Sequence, residues 1–123
     1  MEDRVREALA KGGVIDITTT GRRTGEPRRK EIIFHNVDGH LYISGTPRPK
    51  KRDWLRNLEA QPRFTFHLKG GLSADLPATA RVITEEAERR EVLTKVTRNW
   101  NREGELDEFV RNSPLIEVTI VDQ

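Results

Sequence analysis

The chain has 123 residues, no cysteine, and 22 Lys or Arg against 20 Asp or Glu; this bounds it to one domain with a modest core and excludes a disulfide framework or a thiolate metal site. No apolar run approaches the ~18 residues of a membrane span, and MEDRVREALAKGG at the N-terminus lacks the apolar centre of a signal peptide. A cytoplasmic protein without an integral membrane segment is the expectation.

In chain order, residues 2–11 read as a short helix, with Val5 and Leu9 one turn apart, stopped by Gly12-Gly13. Val14 to Thr20 is rich in β-branched residues and reads as a strand. Gly21 to Pro27 is a polar turn. Arg28 to Asn36 is a second strand, with Ile32 and Phe34 on one face and Ile33 and His35 on the other. Asp38-Gly39 marks a tight hairpin, and Leu41 to Thr46 returns as the third strand. Pro47 and Pro49 force an extended loop. Asp53 reads as an N-cap for a helix whose apolar stripe is Trp54, Leu55 and Leu58, ended by Pro62. Arg63 to Leu68 alternates as a half-buried strand. Ala74 to Ile83 is another strand, interrupted near Pro77. Thr84 is read as the cap of a helix with Glu85 and Glu86 in its first turn and Val92, Val96 and Trp100 on one face. A short helix near Leu106 to Val110 follows, and Pro114 opens a last strand, Leu115 to Val121. Six strands joined mostly by short turns imply an antiparallel sheet closed on itself, a six-stranded α+β barrel with two or three flanking helices.

The familiar catalytic sets are absent. Ser44, Ser73 and Ser113 sit in no Gly-x-Ser-x-Gly elbow, and no dinucleotide or P-loop glycine motif occurs. His35, His40 and His67 have no metal-ligand spacing, so no metal site is expected. His35 and His67 read as partly exposed strand residues, with a cofactor or substrate contact as the alternative. An enzyme built this way needs a bound cofactor for its reactivity.

The charge distribution says where that cofactor would bind. Net charge is only +2, yet between Gly21 and Arg56 ten cations stand against Glu26, Glu31, Asp38 and Asp53, while acids outnumber bases from Glu85 to Glu108. A local positive region on a near-neutral chain favours a specific anionic ligand. Thr18 to Gly25 joins hydroxyls, glycines and guanidinium groups at a strand end, and Gly45 to Arg52 places Lys50, Lys51 and Arg52 before a helix N-terminus. Both are suited to phosphate, and two such turns from neighbouring strands suggest one shared anion site. Trp54 is open between core packing and stacking on a flat ring; Asn57 is open between capping the loop backbone and reaching a ligand. Nucleic acid is not expected as a partner, because only Phe34, Tyr42 and Trp54 are interleaved with the cations.

Gly-Arg-Arg-Thr-Gly-Glu-Pro-Arg (21–28), Tyr-Ile-Ser-Gly (42–45) and Trp-Leu-Arg-Asn-Leu (54–58) followed by Ala-Gln-Pro (60–62) occur in that order. Over residues 14–83 this arrangement resembles the deazaflavin-dependent nitroreductase family, within the pyridoxamine-phosphate-oxidase-like split barrels. The resemblance implies a split β-barrel and a deazaflavin coenzyme, factor 420, with flavin mononucleotide as the alternative. It implies coenzyme contacts from Arg23, Thr24, Arg28 and Lys30 in the first region and from Ser44, Gly45, Thr46, Lys51, Arg52, Trp54 and Asn57 in the second. The loop departs from many relatives, which carry Gly-Gly after the serine and a proline before the tryptophan. The implied reaction is hydride transfer to a small electron acceptor, a quinone, nitro compound or activated alkene, with Tyr42, His35, Ser44 or solvent as proton donor. A non-catalytic flavin- or haem-binding module is the competing reading. By analogy with other split barrels, a homodimer is expected.

Overall fold

The computed structural model describes residues 1–121; burial alternates from Ile15 to Thr19 in the first strand, whereas Leu41 to Ser44 in the third is buried throughout. Helix α1 (Asp3–Lys11) leads into β1 (Gly13–Thr20), β2 (Pro27–Val37) and β3 (His40–Ser44). Helix α2 (Asp53–Ala60), β4 (Arg63–Leu68), β5 (Ala74–Val82), α3 (Glu86–Asn99), a 3-10 turn (Glu103–Glu105), α4 (Leu106–Asn112) and β6 (Leu115–Ile120) complete the described chain. The strands close into an antiparallel barrel in the order β1-β2-β3-β6-β5-β4, with β4 pairing back onto β1 through Ile17 and Phe66. Each strand pairs with two neighbours over part of its length; β2 meets β3 only from Phe34 to Val37, so its residues 27–33 pair with β1 alone among the described strands.

Ile15, Ile17, Phe34, Ile43, Phe66 and Ile116 point into the barrel and are buried there. Phe34 and Phe66 meet edge to face, with ring centroids 5.0 Å apart; such pairs add ~0.5–1.5 kcal/mol beyond burial. Val5 and Leu9 of α1 and Trp54, Leu55 and Leu58 of α2 join this core. A second core lies outside the barrel wall. There α3 and α4 bury Val92, Leu93, Val96 and Phe109 against Tyr42 and Leu115.

The β2–β3 hairpin forms as the Asp-Gly pair predicts, with both central residues at positive φ (Asp38 54°, Gly39 87°). Several sequence expectations change in detail. Four α-helices flank the barrel, each where the chain-order reading puts one, so the count of two or three is too low; the shortest, α4, buries Phe109 and Val110. Strand β5 runs unbroken through Pro77. The Pro77 carbonyl accepts from Val121 N at 2.8 Å, so the missing N–H faces the end of the β6 ladder, where no strand bond is lost. Asp53 is the first residue of α2, not its cap, and Arg52 at the cap position makes no side-chain capping bond. Glu85, not Thr84, caps α3, its carboxylate accepting from Glu88 N. His35 and His67 are both buried. His67 Nε2 lies 2.7 Å from Thr18 Oγ1, and its Nδ1 lies 2.7 Å from Asp75 Oδ1.

Candidate functional site

The turn between β1 and β2 is tight because its backbone bonds to itself. Gly21 N donates to Glu26 O and Gly25 N to Gly21 O, both at 2.8 Å. Gly25 has φ 73°, and a Cβ on Gly21 would stand 3.1 Å from Glu26 O. The turn is docked onto α2 by Asn57, which is buried. Asn57 Oδ1 accepts from Arg22 N at 3.2 Å and Arg22 Nη1 at 3.0 Å, and its Nδ2 donates to Thr19 Oγ1 at 3.1 Å. Arg22 also reaches Asp53 at 3.3 Å. Asn57 therefore has its hydrogen bonds supplied by the protein and acts as a clamp between turn and helix.

This docking brings the two basic segments to one cleft of about 530 Å³. Arg23, Thr24, Arg28, Lys30, Arg52, Trp54 and Asn57 line it, as do Thr19, Gly21, Arg22, Arg29, Arg48 and Asp53. Seven cations thus stand over one carboxylate. Among the described residues, Arg28, Arg29 and Arg22 meet acids (Glu26, Asp16 and Asp53), whereas Arg23, Lys30, Arg48 and Arg52 pair with none. Burial, with Arg48 nearby, lowers the Arg52 pKa from its ordinary value. Its Nη2 donates to Thr46 Oγ1 at 3.2 Å. A Cβ on Gly45 would come within 3.1 Å of that guanidinium, so glycine makes room for it.

A second cleft, of about 520 Å³, shares Lys30, Arg52 and Trp54 with the first. Ser44, Gly45 and Thr46 form one side, Val14, Ile32 and Ile33 the apolar floor, and Trp100 and Arg102 the far rim. Trp54 belongs to the barrel core and also lines both clefts. The Trp100 ring stands edge-on to His35 at 4.8 Å and lies 6.1 Å from Phe109, tying the end of α3 to β2 and α4.

The remaining sequence candidates lie elsewhere. Lys51 turns away from both clefts, pairs with Glu59 at 2.9 Å and lines a groove on the other side of its loop. Tyr42 packs in the α3–α4 core, where burial and nearby Glu117 raise its pKa. His35 is shut behind Trp100, its Nε2 without a hydrogen-bond partner among the described residues, and burial lowers its pKa to about 4. Ser44 faces the second cleft, but its hydroxyl donates to Pro114 O at 2.8 Å. Arg22, Arg29 and Arg48 were not singled out from the sequence. Their membership in the same two basic segments was the available signal.

A profile of the F420H(2)-dependent quinone reductase family matches residues 2–119. The fold is similar to that of a conserved hypothetical protein from Mycobacterium tuberculosis (TM-score 0.75, 16% identity, covering 99% of this chain and 82% of that one). It is similar to a candidate pyridoxamine 5'-phosphate oxidase from Listeria innocua (TM-score 0.71, 14% identity, 98% and 93% covered). A structure described as an F420-H2 dependent reductase aligns with TM-score 0.63 at 21% identity, covering 87% of this chain and 94% of that one. With a cationic cleft adjoining a Trp-lined one on a closed barrel, the chain belongs to the F420H2-dependent quinone reductase family, oxidoreductases whose hydride source is the reduced deazaflavin factor 420.

Proposed function

We propose that the anionic tail of factor 420 lies in the seven-cation cleft and its ring in the adjoining cleft, between Trp54 and the Ser44–Thr46 strand end. The donor chemistry fits: four of the cations have no carboxylate partner among the described residues, and a guanidinium offers a planar fork to phosphate or carboxylate. The single observation that carries this reading is the convergence of both basic turns on one cleft. When bound, the reduced deazaflavin supplies a hydride to the acceptor. Arg23, Lys30, Arg48 and Arg52 neutralise the tail, and the Gly45 backbone leaves the Arg52 guanidinium its space. Val14 and Ile33, exposed on the floor of the second cleft, offer an apolar seat for a neutral, flat acceptor such as a quinone or nitro compound. Reduction of a quinone to a hydroquinone also needs a proton. Neutral, enclosed His35, inward-packed Tyr42 and the engaged Ser44 hydroxyl leave solvent, through the open cleft, as the source. A cytoplasmic homodimer completes the proposal.

A fluorescence titration tests the tail assignment. Arg52→Ala should weaken factor 420 binding well beyond the ~1 kcal/mol of an exposed charge pair, and Lys51→Ala should stay within it. Unchanged affinity in Arg52→Ala removes the assignment. Titrating flavin mononucleotide and haem alongside separates the deazaflavin reading from a general flavin or haem binder. Oxidation of the reduced coenzyme on mixing with a quinone and nitro panel reports the acceptor.

A further inference from the structure

Arg89 of α3 lines neither of the two clefts, yet its guanidinium is aimed entirely at backbone. Its Nε donates to Val110 O at 2.9 Å, Nη1 to Ile83 O at 2.9 Å, and Nη2 to Ser113 O at 2.6 Å and Phe109 O at 3.4 Å. Among the described residues no carboxylate pairs with it. Val110 O lies in the last turn of α4, where carbonyls lack an intrahelical partner, while Phe109 O also accepts from Ser113 N at 2.9 Å. A cation that gathers them fixes the path of residues 109–114.

That path is what the coenzyme loop hangs on. Arg48 N donates to Asn112 O at 3.1 Å, and Ser44 Oγ to Pro114 O at 2.8 Å. A Cβ on Gly45 would lie 3.3 Å from Pro114 Cγ, so the link also packs against the residue that makes room for Arg52. The backbone segment that Arg89 holds on one side thus anchors, on its other side, the strand-to-loop passage at Ser44 and at Arg48, and packs beside Gly45, against which the Arg52 guanidinium lies. We propose that Arg89 is a positioning residue for coenzyme binding, setting the place of the Ser44–Arg52 loop through the α4–β6 link. The inference rests on the tail assignment above. It has a specific chemical requirement: a planar fork reaching carbonyls in several directions, which the compact ammonium of lysine does not reproduce.

The test is Arg89→Lys, which keeps the charge and loses the fork. The Kd and KM for factor 420 should rise about tenfold, with the KM for the quinone and kcat at saturating coenzyme unchanged. Val92→Ala, a cavity on the same helix, should lower Tm and leave coenzyme affinity alone, so a merely structural role for Arg89 would behave like Val92→Ala. Arg52→Ala separates the two ideas. If it weakens binding while Arg89→Lys does not, the Arg89 inference is overturned and the tail assignment stands; if neither weakens binding, the tail assignment itself fails. Should Arg89→Lys not fold, hydrogen exchange on the unaltered protein decides. Saturating factor 420 should raise amide protection across residues 109–115 in step with the 45–52 loop, and protection confined to the loop overturns the inference.

Discussion

His35 shows how one side chain can be misread from its strand and still leave a measurable mark. Its position opposite Ile32 and Phe34 places it on the outer face, where exposure is the simple expectation; Trp100, arriving from the end of α3, covers it. Burial keeps the imidazole neutral, with a pKa of about 4 against ~6.5 in the unfolded chain. Between those values the unfolded chain binds a proton that the folded chain does not, so stability should fall as pH drops through that window. The loss should reach up to ~3 kcal/mol near the lower end. Asp16 and Glu88, whose pKa values are lowered chiefly by hydrogen bonds from Lys69 and Arg81, lose their contribution only below the ordinary carboxylate range. His35→Phe should therefore flatten the Tm profile between about pH 6.5 and 4.5 and leave the steeper acid limb in place. Parallel profiles for the two proteins would contradict the burial argument.

At the scale of elements, the site depends on how α2 meets the β1–β2 turn. Asn57 joins them with three hydrogen bonds, two accepted from Arg22 and one donated to Thr19. Removing it leaves buried polar groups without partners at a cost of ~1–3 kcal/mol. Asn57→Ala should lower Tm accordingly and also weaken coenzyme binding, because the turn carrying Arg23 and Thr24 loses its anchor. Arg63→Ala, an exposed change in β4 away from the clefts, should move neither. A stability loss in Asn57→Ala without any change in coenzyme affinity would mean that the turn holds its place alone.

For the whole molecule, charge placement matters more than its sum. A net charge of +2 gives little self-repulsion, while seven cations gathered at one cleft focus a positive field that steers an anionic ligand. Raising salt from roughly 0.05 to 0.5 M shortens the screening length several-fold. Coenzyme affinity should drop about tenfold or more across that range, mainly through slower association, with Tm nearly constant. Salt-independent binding measured by stopped-flow fluorescence would place the coenzyme away from the cations.

Periodicity and turn chemistry are local, so the sequence by itself determined the six strands, the Asp38-Gly39 hairpin and the two basic segments that flank the site. Only the tertiary structure decided which distant residues meet. Ser44 and Pro114 are 70 positions apart and Arg22 and Asn57 are 35, and nothing in a local pattern of apolar and polar residues encodes either contact. The same is true of Lys51, one residue from Arg52 yet facing Glu59 instead of the cleft, and of Arg89, an ordinary helix cation until α4 brings its carbonyls. The Ser44–Pro114 contact goes with the β3–β6 pairing that closes the barrel, in which Ser44 stands opposite Leu115; closure fixes in space what the chain order leaves apart.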